Sequence, residues 1–163
     1  MKPYRVLFIE EKPYSLTKSK ALIETHLKQL FPLELLLGAS LELLPPHLDL
    51  IFFEKNIADR EQAHKILLKT MHDLRAAGEL FLPVIFISTG TLAHWNHLAK
   101  LTALPWYFDL INPAHMDSLP IRVANLCKIR EHLLQLQNYQ DEMRVLHQRI
   151  DEIEIKLEQK KHI

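Results

Sequence analysis

Glu10 with Glu11, Glu54, Ser88, and Asn112 ahead of Pro113 each follow directly on a short apolar run. The runs are Tyr4 to Ile9, Asp49 to Phe53, Pro83 to Ile87 and Trp106 to Ile111. A buried strand stops in this way when it emerges into a polar site, and strands running in one direction bring such ends to one edge. Three carboxylates gathered there repel each other, so the pocket binds a divalent cation, holds a proton or recruits a basic side chain. A single Glu at a strand end is ordinarily just solvated. The joint pattern makes that reading weaker.

The elements between these runs decide whether the ends meet. Leu16 to Phe31 places Leu16, Ala21, Leu22, Leu27 and Leu30 close to helical spacing, and Pro32 ends it. Leu33 to Leu37 reads as a second strand. Gly38 to Pro46 holds at most a stub of helix at Leu41 to Leu44, cut off by Pro45 and Pro46. That leaves part of one sheet face for a partner, or for neighbouring side chains, to cover. Ile57 to Ala77 reads as a helix with Ala63, Ile66, Leu67, Met71, Leu74 and Arg75 on one face and Gly78 as its stop. Thr91 to Leu101 reads as another. A last helix starts at a cap on Asp117 or Ser118. Five strands alternating with helices imply an α/β fold with a doubly wound parallel sheet.

RVLFIEE, LDLIFFE, PVIFIST and FDLINP, in this order and at these separations, resemble the four strand-end motifs of bacterial response-regulator receiver domains. The resemblance covers Tyr4 to Ile129. It implies a flavodoxin-like (CheY-like) sheet of strand order 2-1-3-4-5 and a receiver-like domain over residues 1–130, which leaves residues 131–163 as a helical coiled-coil extension continuous with its last helix. It also implies roles. Glu10 and Glu11 take the place of the acidic metal-binding pair, Glu54 that of the phospho-accepting aspartate, and Ser88 that of the switch hydroxyl. Asp109 stands where an aromatic switch residue is common, and Asn112 where a lysine precedes proline.

The match is in position and not in chemistry. Glu is one methylene longer than Asp, which misplaces the Glu54 carboxylate for in-line attack on a phosphoryl donor, and a misplacement of about 1 Å costs about a hundredfold in rate. Asn112 donates hydrogen bonds but brings no charge to neutralise the phosphoryl oxygens. The reading is a non-enzymatic pseudo-receiver of two-component or phosphorelay type, constitutively in one state and not phosphorylated on Glu54, with no cofactor expected other than Mg²⁺ as an open alternative. The alternative is an active receiver phosphorylated with Mg²⁺, ligated by Glu10, Glu11 and Glu54.

Beyond Arg130 the chain carries helix formers with no Pro or Gly through Lys161. Ile129, Leu136, Met143, Ile150 and Leu157 recur every seven residues. Leu126, Leu133, Tyr139, Leu146 and Ile153 form a second seam whose spacing shifts by one residue between Leu133 and Tyr139. This is a coiled-coil signature, and its simplest partner is a second copy, parallel or antiparallel. Folding back onto the outer helices would bury the same stripe. The helix also resembles linkers joining receiver domains to output domains. Two expectations follow: a piece of a longer regulator, or a helix that is itself the output toward a protein partner.

Several other classes lose support. Twenty basic and twenty acidic residues cancel, so nothing global draws the chain to nucleic acid or to an anionic membrane. No stretch has the length of a membrane span or the pattern of a signal peptide, which leads us to expect a cytoplasmic protein. Lone Cys127 permits no internal disulfide and reads as a small buried or half-buried hydrophobe. His94 and His97 share a helix face but lack a third ligand, and Trp95 between them reads as a packing anchor. No Gly-rich phosphate loop or serine-hydrolase elbow is present.

Overall fold

Strands rich in Leu, Ile, Val and Phe on both parities need cover on both faces, and the fold supplies it. The structure is a computed structural model that describes residues 3–9, 16–28, 32–38, 40–41, 44–54, 60–87 and 107–161. In chain order its elements are β1 (Tyr4–Ile9), α1 (Leu16–Leu27), β2 (Leu33–Gly38), β3 (Leu50–Glu54), α2 (Arg60–Ala76), β4 (Val84–Ile87) and β5 (Phe108–Ile111). A 3-10 helix (Pro113–Ser118) then leads into α3 (Leu119–Lys161). The five strands are parallel in the order β2-β1-β3-β4-β5, the flavodoxin-like order expected from the motifs.

Alternate strand residues enter two cores. Leu7, Ile9, Ile51, Val84, Phe86 and Phe108 meet Leu67 and Leu74 of α2 on one face. Val6, Phe8, Leu50, Phe52, Ile85, Ile87 and Ile111 meet Ile23 and Leu27 of α1, with Leu119, Val123 and Leu126 of α3, on the other. Thr70, the buried polar side chain among the described residues, donates its hydroxyl to the Ile66 carbonyl at 2.8 Å. Burial therefore leaves no unmet donor there.

Several local expectations are corrected. α1 ends at Leu27, short of Phe31, and residues 29–31 lie outside the description. Its fully buried anchors are Ile23 and Leu27, whereas Ala21 is exposed. Arg75 is exposed too, because the buried stripe of α2 runs through Leu67, Thr70 and Leu74. The strand expected over Trp106 to Ile111 begins at Phe108, and the one expected to end at Phe53 includes Glu54. The helix expected over 91–101, with His94, Trp95 and His97, lies outside the described residues, as does the start of the 57–77 helix.

Two glycines sit where a side chain would be crowded or strained. A Cβ on Gly38, the last residue of β2, would meet Leu7 Cδ1 at 2.9 Å. Gly78 has φ +74. It closes α2 by donating to the Arg75 carbonyl at 3.0 Å while Glu79 donates to the Leu74 carbonyl at 3.0 Å, the paired bonds of a Schellman stop. Between β2 and β3 the described residues hold no helix. Leu41 and Leu48 are buried and Leu44 packs beside them, so the chain's own side chains cover that part of the sheet.

Residues Met1–Arg130 form one compact unit and Glu131–Ile163 a second. No helix among the described residues is long and apolar enough to cross a membrane. Phe52 is fully buried on the central strand. Phe52→Ala is expected to lower the unfolding free energy by about 3–5 kcal/mol in a urea titration, and a loss under about 1 kcal/mol would contradict this packing.

Candidate functional site at the strand ends

The register sets the C-terminal edge of the sheet. Ile9 lies opposite both Gly38 and Phe53, Glu54 opposite Ile87, and Ile87 opposite Ile111. Glu54 is thus the last paired residue of a strand bonded on both sides, half-buried, on the parity of Leu50 and Phe52. Asn112 follows Ile111 at the same edge. Glu10, Glu11 and Ser88 lie outside the described residues, so their distances from Glu54 are not part of this geometry. Among the described residues no three His, Cys, Asp or Glu side chains gather as metal ligands.

Asn112 does structural work at this edge. With φ −88 and ψ 135 it is extended, and its Oδ1 accepts the Ala114 N–H at 2.9 Å while its carbonyl accepts the His115 N–H at 2.9 Å. It caps the 3-10 helix, with Pro113 at the first helical position. The long helix α3 starts at Leu119, directly after Ser118, where the sequence places its start. Ser118 donates to the His115 carbonyl at 3.0 Å and accepts from Arg122 Nε at 3.0 Å.

Asp109 is held by an ion pair. Arg122 Nη1 donates to both carboxylate oxygens at 2.8 Å and reaches the Leu110 carbonyl at 3.2 Å. The Leu110 N–H also donates to Asp109 Oδ1 at 2.7 Å. Asp109 shares the parity of Ile111, the β5 residue that faces α1 and α3. Sequence inspection misses Arg122, because the contact needs β5 and α3 already packed.

A second polar cluster lies at the opposite, N-terminal edge of the sheet. Asp49 accepts the Arg5 N–H at 2.9 Å and returns its own N–H to the Arg5 carbonyl at 2.8 Å. Arg5 also pairs with Glu34 at 3.0 Å and donates to the Pro46 carbonyl. Arg130 donates to the Leu48 carbonyl at 2.7 Å and lies 3.5 Å from Asp49 and 3.8 Å from Glu79. These bonds join the starts of β1, β2 and β3 to α3.

Cys127 lies half-buried near this cluster, and burial, with Asp49 adding to it and Arg130 opposing, pushes its thiol from 9.0 up to about 11. Such a thiol holds its proton more tightly in the folded chain. The stability it contributes is therefore complete below pH 9 and lost as pH rises through about 11.

From Leu136 on, α3 leaves its apolar seam open. Leu136, Tyr139, Met143, Leu146, Ile150, Ile153 and Leu157 are each 49 to 64% exposed, whereas Ile129 and Leu133 are half-buried.

No family model and no curated protein matches the chain. Among solved structures, the solution structure of a response regulator from Burkholderia multivorans is similar over 76% of this chain and 96% of that one, at 17% identity and a TM-score of 0.40.

Two outcomes test this geometry. A double-mutant cycle with Asp109→Asn and Arg122→Gln is expected to give a coupling of about 1 kcal/mol that weakens with added salt, and zero coupling would refute the ion pair. Iodoacetamide at pH 8 is expected to alkylate Cys127 far more slowly in the folded than in the unfolded chain, in line with about a hundredfold less thiolate. Equal rates would contradict its protected setting.

Proposed function

We propose that this chain is a two-component-type signalling module in pseudo-receiver form, cytoplasmic and without enzymatic activity of its own. It works by protein–protein interaction, as a dimer joined through α3. The observation that carries the reading is Glu54 at the end of β3, the central strand end of a 2-1-3-4-5 sheet. In a receiver that place takes the phosphoryl group. Here the longer side chain and the uncharged Asn112, already bonded to its own turn, leave a phosphoryl group poorly placed and poorly neutralised.

Asp109 supports the same conclusion from another side. A switch residue must change position, and a carboxylate tied to Arg122 and the Leu110 N–H is tied to one. Glu54 then acts as a fixed charge. A carboxylate carries less charge and fewer acceptor oxygens than a phosphoryl group, so any mimicry of the phosphorylated state is partial.

Mg²⁺ is the ion to consider, because the carboxylates of Glu10, Glu11 and Glu54 are hard oxygen donors of the kind it takes. The ion would supply charge to offset their repulsion. Asn112 Oδ1, committed to the Ala114 N–H, adds no clear further ligand.

The test is beryllofluoride with Mg²⁺, which mimics an acyl phosphate, added to the full chain while its mass is followed by light scattering. The expected result is a dimer whose mass and near-ultraviolet spectrum ignore the reagent. A saturable response that vanishes in Glu54→Gln would establish the alternative, an active Mg²⁺-dependent receiver.

A further inference from the structure

The exposed seam of α3 invites a partner, and the charges along its flanks say which. From Leu136 to Leu157 the seam covers about 32 Å of helix at 1.5 Å per residue, three heptads. With Leu136, Met143, Ile150 and Leu157 at one core position and Tyr139, Leu146 and Ile153 at the other, the flanking positions are read directly from the chain. Glu142, Arg149 and Lys156 precede the first set, and His147 and Glu154 follow the second.

Within one chain His147 lies 2.7 Å from the Met143 carbonyl. Arg144 pairs with Asp141 at 3.0 Å, but among the described residues Glu142, Arg149 and Glu154 have no ion pair. A second copy would pair Arg149 with one of the two glutamates. In a parallel, in-register pair the residue before one core position faces the residue five further on in the other helix, which sets Arg149 against Glu154 of the second copy. In an antiparallel pair that layers Met143 on Leu146 of the second copy, Arg149 faces Glu142 instead. Both orientations bring Arg149 to a carboxylate, twice by symmetry.

We propose that Arg149 is the specificity-determining residue of a homomeric coiled coil, pairing across the seam with an acidic residue of a second copy. The inference rests on the dimer of the reading above. It adds that the occupant of the seam is this same chain and that one charge pair selects it. Apolar side chains supply the bulk of the attraction, and the flanking pairs choose the partner and its direction.

The experiment is sedimentation of the full chain and its variants at low and high salt, with circular dichroism to confirm that each helix is intact. Arg149→Glu turns two attractive pairs into two repulsive ones and is expected to raise the dissociation constant about tenfold, less in high salt. Adding Glu154→Arg restores the dimer if the helices are parallel. Adding Glu142→Arg restores it if they are antiparallel, and rescue by either supports the proposal. A dimer indifferent to Arg149→Glu, or one that neither second substitution rescues, overturns the inference and leaves the dimer itself standing. A monomeric wild-type chain overturns both.

Discussion

β3 is bonded on both edges and covered on both faces, and this confinement organises the rest of the molecule. Leu50, Ile51 and Phe52 are fully buried, so the strand can turn polar only where its pairing ends. Glu54 occupies that position. A carboxylate there stands between the ends of β1 and β4, at the edge where the connections of a doubly wound sheet open into a crevice. The crossover helices serve this placement: α2 closes one face, and α1 with the first turns of α3 closes the other.

The two edges of the sheet have opposite characters. At the N-terminal edge, Arg5, Glu34, Asp49, Glu79 and Arg130 form a bonded cluster that ties three strand starts to α3. At the C-terminal edge Asn112 is engaged by its own turn, and within β5 Asp109, opposite Ile85, is held by Arg122. A receiver that switches needs groups that exchange partners. Asn112 and Asp109 are instead already bonded within the fold, which supports the constitutive reading proposed above.

The fold was legible because its signal is local: apolar runs ending on polar residues, alternating with helical stripes, specify parallel strands and their number. The seam of α3 was legible for the same reason, since a heptad is a short-range pattern. Contacts made by folding were not. Arg122 reaches Asp109 across 13 positions and Arg130 reaches Asp49 across 81, and neither partner is implied by the residues around it. The start of α3 after Ser118 is legible from the sequence, whereas the 3-10 helix before it, capped by Asn112 with Pro113 at its first position, is not among the elements expected. Ile23 is absent from the stripe read in α1, which shares only Leu27 with the face that packs with Phe8 and Phe52 among the residues whose burial is described.

The central claim is that Glu54 is a fixed charge and not an acceptor. The direct measurement is the intact mass of the chain after incubation with acetyl phosphate and Mg²⁺, alongside Glu54→Asp and Glu54→Gln. The account predicts no phosphoryl adduct on the wild-type chain. An adduct that forms on the wild-type chain and is absent from Glu54→Gln would contradict it.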